Sequence, residues 1–354
     1  MAVKRPVVLV LRGLALGDLL TAVPALRGLR RAYPGHRLVL AAPAALAGLL
    51  PSIGAVDELL DVSGPGPLPA DRPEVTCPDV AVNLHGRGPQ SIAALSGTRP
   101  GRLLTHAHLE FPCLEGPPWR QSMHEVHRWC ELLGWYGIPA DPADLALDPA
   151  VLKPSPSLLD LAAPGLATSG AAGLTGGPAA GRGREGAGDA GENRDVVVVH
   201  PGAGARARRW PPERFAEVAA TLEQAGHRVV VTGNAAERPL ASRVGVLAGL
   251  PPEQVLAGRT DLRSLARLVA GARLVVCGDT GVAHLATAFA TPSVVLFGPV
   301  APAQWGPPPT GRHVALWSGG HGDPYGDRPD PGLMEIGVVS VLDAAASLLE
   351  VGVG

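Results

Sequence analysis

LVVCGDTGVAHLATAFATPSVVLFG, Leu274–Gly298, is the stretch on which the fold turns. Leu274–Cys277 is a short apolar, β-branched run, the composition of a buried strand. Gly278-Asp279-Thr280-Gly281 then turns the chain into the helical pattern of Val282–Ala290, Pro292 stops that helix, and Ser293–Phe297 is a second buried strand. Strand, crossover helix and strand make a βαβ unit, whose two strands run the same way and so demand a parallel sheet. Ligands of such sheets sit beyond the carboxyl ends of the strands, where Asp279, Thr280 and Gly281 fall. Free backbone N–H groups at the helix start attract phosphate, and Gly281 lets the backbone come close. Asp279 would repel phosphate and suits a sugar hydroxyl or a ribose. His284 follows Thr280 by one helical turn and shares its face.

The same alternation runs through both halves. Val7–Leu11 reads as a strand and Arg12–Asp18 as a glycine-bearing loop. Leu19, Leu20, Val23, Leu26 and Leu29 form one apolar helix face, and Arg37–Ala42 is the next strand. Glu58–Val62 and Asp79–Leu84 are further strands, the latter ending in the polar cluster Asn83-Leu84-His85-Gly86-Arg87, and Met123–Tyr136 has helical spacing. Order resumes with Val196–His200, a Pro201–Gly204 turn and the basic Arg206, Arg208 and Arg209. A helix face (Phe215, Val218, Ala219, Leu222), a strand over Val229–Thr232 and a helix over Leu262–Ala270 follow. Between the halves, Ala163–Arg194 is Gly, Ala, Pro, Ser and Thr without an apolar period, and cannot bury enough surface to offset its ordering entropy. The expected organisation is α/β: a domain at 1–162, a flexible linker at 163–194, a second domain at 195–337, and a terminal helix at 338–354 packing back across the first domain. Two Rossmann-like parallel-sheet domains would then face each other and hold a ligand in the cleft between them.

Composition narrows the function. The 354 residues are 46% apolar, enough for two packed cores, and the formal net charge of -2 lacks the basic excess of a nucleic-acid protein. No run reaches the ~18–20 apolar residues needed to span a bilayer. Lys4-Arg5 before Val7–Leu11 has the look of a signal peptide, but Arg12 and Asp18 interrupt it. Cys77, Cys113, Cys130 and Cys277 form no CxxC pair, which reads as reduced thiols in the cytoplasm. His106, His108, His124 and His127 lie close in sequence, yet HEVH lacks the i, i+4 histidines of a zinc helix, and Asp323, Asp327 and Asp330 lack the spacing of a calcium loop. No metal site is expected.

Leu11–Pro34, LRGLALGDLLTAVPALRGLRRAYP, resembles the N-terminal signature of glycosyltransferase family 9, the ADP-heptose:lipopolysaccharide heptosyltransferases. His200-Pro201-Gly202-Ala203 with Arg208-Arg209-Trp210-Pro211, and Gly278–Gly298 with its DTGxxH core, resemble that family's two C-terminal motifs in order and spacing. The resemblance implies a GT-B architecture, with the donor on the C-terminal domain and the acceptor facing the N-terminal one. It also implies metal-independent transfer with inversion at the anomeric carbon. A heptose-like sugar would pass from a nucleotide-diphosphate donor, ADP-linked by preference, to a hydroxyl of a glycan, glycolipid or small molecule. No cofactor is implied beyond that co-substrate. The expected protein is a cytoplasmic monomer that binds no nucleic acid, and a peripheral contact with the inner membrane face is allowed.

Each candidate residue has a plain reading beside the functional one. Asp18, after Gly17, is either a helix N-cap or, as the resemblance implies, the general base that deprotonates the acceptor. Arg206, Arg208 and Arg209 are a solvated basic surface or a clamp on the departing diphosphate, with Arg208 first and Arg209 in reserve. Asp279, Thr280, Gly281 and His284 are a turn and capped helix, or the seat of the donor sugar and diphosphate. His284 is equally well a helix histidine bonding a neighbouring carbonyl. Glu237 is a helix-start glutamate or a ligand of the ribose hydroxyls, and Gly202 belongs to the donor-side turn. Asn83, His85 and Arg87, with Gly17, form the acceptor side; relatives often carry Gln before the glycine where His85 stands. The alternatives to a glycosyltransferase are a nucleotide-sugar epimerase or hydrolase and a non-catalytic nucleotide-sugar sensor. A dehydrogenase fits poorly, because Gly202-x-Gly204 runs into Arg206-Ala207-Arg208 and not a third glycine.

Overall fold

The computed structural model describes residues 5–69, 71–152 and 196–350, so the expected linker at 163–194 lies outside the described residues. The apolar runs become strands because each can bury both faces under helices, which only a parallel sheet provides. In the first half β1 (Val7–Leu11), β2 (Arg37–Ala42), β3 (Glu58–Asp61), β4 (Val80–Asn83) and β5 (Arg102–Leu104) form a parallel sheet in the order β3-β2-β1-β4-β5. In the second, β6 (Val196–His200), β7 (Arg228–Val231), β8 (Leu274–Gly278), β9 (Ser293–Leu296) and β10 (His313–Leu316) form another in the order β10-β9-β8-β6-β7. A single parallel bridge from Val231 to Val255 stands where the first sheet has its outer strand. In both sheets the chain reverses its direction of growth beside the first strand, between β1 and β4 and between β6 and β8. Ligand crevices form at the carboxyl ends of such strands.

The helices are α1 (Leu16–Thr21), α2 (Val23–Ala32), α3 (Leu50–Ile53), α4 (Gln90–Gly97), α5 (Glu125–Trp135), α6 (Pro212–Gln224), α7 (Arg238–Leu247), α8 (Leu262–Gly271), α9 (Gly281–Ala288), α10 (Pro302–Trp305), α11 (Pro331–Glu335) and α12 (Val338–Glu350). The apolar face expected to run unbroken from Leu19 to Leu29 is split at Ala22, because Pro24 has no N–H to continue α1 and suits only the first turn of a new helix. Helix α5 starts later than its apolar pattern because His124 caps it, its Nδ1 accepting the Val126 N–H at 3.2 Å.

One expectation is corrected. Helix α12 does not fold back on the first domain: its buried face, Val341, Ala344, Ala345, Leu348 and Leu349, joins the core formed by Val197, Val199, Phe215 and Leu222. Its start is fastened there by the turn before it, where Trp210 Nε1–H donates to the Ile336 carbonyl at 3.0 Å.

The domains are joined by more than a linker. One apolar cluster takes in Val8, Leu19 and Leu26 of the first and Val198, Val275 and Leu285 of the second. Helices α1 and α9 meet through two glycine notches. A Cβ on Gly17 would lie 2.8 Å from the His284 ring, and one on Gly281 would lie 2.9 Å from the Leu16 side chain. The Leu147 N–H also donates across the junction to the Ala288 carbonyl at 2.8 Å.

Candidate functional site

Gly17 and Asp18, adjacent on α1, open onto two different cavities between the domains. Gly17 borders a pocket of about 360 Å³ whose other walls include His200, Asn234, Glu237, Leu262, Thr280 and Gly281. Asp18 borders a wider cleft of about 760 Å³ that it shares with His85, Arg87, Glu125, Trp305 and Tyr325. A small-molecule site of a few hundred Å³ between domains, mixing apolar walls with a few polar groups, is the usual form of a ligand pocket.

Asp18 is not the helix cap. Ala15 holds that position without a side-chain bond, and Asp18 lies one turn in, where its carboxylate takes the Ala15 backbone N–H. The wholly buried Arg12 stands behind it, Nη2 3.6 Å from Asp18 Oδ1, while Arg12 Nε donates to the Asp18 carbonyl at 2.9 Å. Burial raises the Asp18 pKa above the ordinary carboxylate value; Arg12 opposes that rise and Glu125 adds to it. The Asp18 charge also adds, as the smallest cause, to the raised pKa of Asp279 in the second domain.

On the acceptor side the structure corrects one residue. Asn83 is fully buried and spent on its own turn: its Nδ2 donates to the Gly86 carbonyl and Thr105 Oγ1, both at 3.1 Å, and its Oδ1 accepts the His85 N–H at 3.1 Å. With both donors filled and the side chain wholly buried, Asn83 presents nothing to the cleft. What it does is aim His85 and Arg87 into the wider cleft. The His85 Nδ1 is buried without a partner, and burial together with Arg12 holds its pKa down to about 4, so the ring is neutral at pH 7. Arg87 is exposed at the rim.

The second domain supplies the opposite wall. Arg208 lies on a short 3-10 turn with Nη1 3.7 Å from Asp279 Oδ2, and its Nε is buried with no partner. Asp279 is only 5% exposed, and burial raises its pKa against the pull of Arg208. Its partner within the protein is Arg208. Thr280 is the N-cap of α9 but makes no side-chain cap bond, so its hydroxyl and the first N–H groups of the helix stay open toward the pocket. Arg209 is tied to the turn by its Nε, which donates to the Ala203 carbonyl at 2.9 Å, and Arg206 is exposed.

Glu237 combines both of its readings. Its Oε2 accepts the Asn234 N–H at 2.8 Å and Asn234 Oδ1 accepts the Glu237 N–H at 3.0 Å, a capping box that fixes the carboxylate at the pocket wall. Gly202 makes room for it: a Cβ there would lie 2.2 Å from Glu237 Oε1, so this glycine admits a carboxylate and not a phosphate. His284 bonds no carbonyl and makes no hydrogen bond among the described residues. It packs edge-on to Trp305 at 6.0 Å, and burial holds its pKa down to about 4. Its ring belongs to the α1–α9 joint, away from the pocket that Thr280 and Gly281 line.

Three residues were not singled out from sequence. Arg12 ends an apolar strand, and a cation directly after VVLVL is the signal that it is buried and bonded. Glu125 is hidden inside HEVH, although Arg128 and Trp129, three and four residues on, reach it on one helix face at 3.0 Å each. His200 closes β6 with Nδ1 3.0 Å from Thr232 Oγ1 and Nε2 4.0 Å from Glu237 Oε2, and burial lowers its pKa. No group of three or more metal-ligating side chains occurs among the described residues, and no helix among them is long and apolar enough to cross a membrane.

The family model for glycosyltransferase family 9 (heptosyltransferase) matches residues 168–324. Over 167 residues the chain is 34% identical to lipopolysaccharide heptosyltransferase 2 of Salmonella typhimurium, covering 44% of this chain and 47% of that protein. The chain thus spans about half the length of the curated relatives it matches. In three dimensions it resembles a family 9 glycosyl transferase from Veillonella parvula, with a TM-score of 0.73, 19% identity and 99% of each chain covered. It also resembles the E. coli ADP-heptose lipopolysaccharide heptosyltransferase II, with a TM-score of 0.69, 20% identity and coverage of 97% of this chain and 98% of that one. Two parallel-sheet α/β domains in the GT-B arrangement are therefore the fold.

Proposed function

We propose, for a chain that is heptosyltransferase-like and carries the family 9 signature over residues 168–324, that it transfers a heptose-like sugar from a nucleotide diphosphate to a hydroxyl group. The observation that supports this reading is that α1 sets Asp18 in the wider cleft and its neighbour Gly17 in the smaller pocket, whose far wall is Glu237, Thr280 and Gly281 of the second domain. The nucleoside and diphosphate occupy the smaller pocket, with Glu237 on the ribose hydroxyls and Thr280, Gly281 and the open N–H groups of α9 at the phosphates. The acceptor lies in the wider cleft beside His85 and Arg87.

Asp18, in its carboxylate form, takes the proton of the acceptor hydroxyl as that oxygen bonds to the anomeric carbon. The bond from that carbon to the diphosphate breaks, and the electron pair leaves on the phosphate oxygen. Arg208, held by Asp279 and with an unfilled Nε–H, receives the growing negative charge. Attack from the face opposite the leaving group inverts the anomeric centre, and none of these steps calls on a metal. The donor proposed first is ADP-heptose, named for the E. coli structural neighbour; the acceptor to try first is lipopolysaccharide, named for the curated relatives.

Thermal-shift screening against ADP-, GDP-, UDP- and dTDP-sugars tests the donor. A ligand at 100 times its dissociation constant stabilises the folded state by ~2.7 kcal/mol, enough to read as a clear rise in melting temperature. Product analysis then tests the reaction: a glycosylated acceptor supports transfer, whereas an isomerised or free sugar marks an epimerase or hydrolase, and tight binding without turnover marks a sensor.

A further inference from the structure

Arg12 is wholly buried and commits every nitrogen within the first domain. Its Nε donates to the Asp18 carbonyl at 2.9 Å, Nη1 to the Leu84 carbonyl, and Nη2 to Thr21 Oγ1 at 3.1 Å and Glu125 Oε1 at 3.2 Å. The guanidinium lies 4.6 Å over the Trp129 ring. Glu125, 8% exposed, is held in turn by Arg128 Nε and Trp129 Nε1, both at 3.0 Å. Buried ion pairs of this kind add little stability over an apolar pair of the same size, because desolvating the charges costs about as much as their attraction returns. Their place gives the better account: Asp18 Oδ1 lies 3.6 Å from the same Nη2 that Glu125 holds.

We propose that Arg12 and Glu125 are positioning residues for Asp18, Arg12 fixing the place and direction of its carboxylate and Glu125 holding the Arg12 guanidinium that faces it. The inference rests on Asp18 as the base of the proposed transfer. The charged groups that share the wider cleft with Asp18 are Glu125, Arg128 and Arg87, with Arg12 buried behind it. Arg12 follows β1 and lowers its proton affinity, and Glu125 on α5 raises it. His85 and His284 nearby are neutral at pH 7 and contribute no charge. A base with raised proton affinity accepts the acceptor proton more readily, provided it is still ionised at the working pH.

The test follows the Asp18 carboxyl carbon by NMR in protein labelled at aspartate. Its resonance is identified as the one missing from Asp18→Asn, and it is titrated in wild type, Glu125→Gln and Arg12→Lys. In folded Glu125→Gln the midpoint moves to lower pH; Glu125→Asp, which keeps the charge but withdraws it by one methylene, gives the same sign with smaller size and serves if the glutamine variant fails to fold. Arg12→Lys keeps the charge and loses the fork, so its midpoint stays near that of wild type. Its kcat toward ADP-heptose falls about a hundredfold while KM changes little, the pattern of a misplaced group. An Asp18 midpoint that ignores a folded Glu125 variant, or full kcat in Arg12→Lys, overturns the proposal. Because the titration needs no turnover, a wild type that transfers no sugar would sink the functional reading while leaving this one open to the same measurement.

Discussion

After β1, the turn that carries Asp18 is wired from within: Arg12 fills the space behind it and bonds Asp18, Leu84, Thr21 and Glu125 at once. In the second domain, the turn after β8 is wired only in part. Asp279 braces Arg208, but the Arg208 Nε is unpartnered, Thr280 caps nothing, and α9 begins with open N–H groups. Each domain thus presents its functional side chains at the carboxyl end of a strand beside its switch point, and the two finish them differently. A group that must take a proton in a set direction gains from a rigid frame, whereas groups that must grip a charged ligand keep hydrogen bonds free for it.

The comparison breaks most visibly at Asp18. Asp18→Asn is expected to lower kcat by about 10²–10⁴-fold while leaving ADP affinity within about threefold, as steady-state kinetics and calorimetry would read. Its stability carries a sign check. Asp18 is harder to ionise folded than unfolded, so across the window from the ordinary aspartate pKa upward the unfolded chain loses its proton first and stability falls with rising pH. The neutral asparagine escapes that cost, and its melting temperature at pH 7 should equal or exceed that of wild type. A large drop in melting temperature would mean that Asp18 holds the fold and not the chemistry. In wild type the same raised pKa puts the acid limb of kcat/KM above the ordinary aspartate value; a limb at or below that value would contradict it.

On the other wall, Arg208→Ala should weaken ADP binding and lower kcat together, by about a hundredfold in kcat, and should also destabilise the protein because Asp279 is left buried and unpaired. Arg208→Lys restores the charge but not the fork and recovers part of the loss. Gly202→Ala is smaller in scale: its Cβ would displace the Glu237 carboxylate, costing donor affinity by about tenfold while an ADP-independent measure such as far-UV circular dichroism stays unchanged.

The least local effect is on acid stability. His85, His106 and His284 are held neutral by burial, with pKa values of about 4. The unfolded chain therefore takes up protons first as pH falls below about 6.5, and their contribution, complete above that pH, is lost progressively toward pH 4. Melting temperature measured from pH 7 to pH 4 should fall steadily through that window. A profile that stays level until carboxylates titrate would show that these rings are solvated.

What was legible in the sequence follows from what is local. VVLVL, RLVLAA and VVVVH became strands at their expected bounds because an apolar run long enough to cross a sheet has one way to bury itself in a parallel α/β fold. The DTG turn was placed correctly because helix starts and strand ends are set by neighbours in the chain. Long-range partners were not legible. Nothing near Asn83 says that Gly86 and Thr105 will satisfy it, and nothing near Asp279 says that Arg208, 71 positions earlier, will claim it. Helix α12 was misplaced for the same reason: its apolar face states that it packs, while the choice of core depends on the turn anchored by Trp210 and Ile336. His284 reads as pocket-facing from its spacing to Thr280, and only the notch at Gly17 shows that its ring is claimed by the α1–α9 joint.

The division of labour between the two walls is tested most directly by calorimetric titration of ADP into wild type, Asp18→Asn and Arg208→Ala under one set of conditions. Dissociation constants for wild type and Asp18→Asn should agree within about threefold, with that of Arg208→Ala larger by tenfold or more, about 1.4 kcal/mol. If ADP binds all three alike, or if Asp18→Asn loses as much affinity as Arg208→Ala, the assignment of deprotonation to one domain and diphosphate binding to the other is wrong.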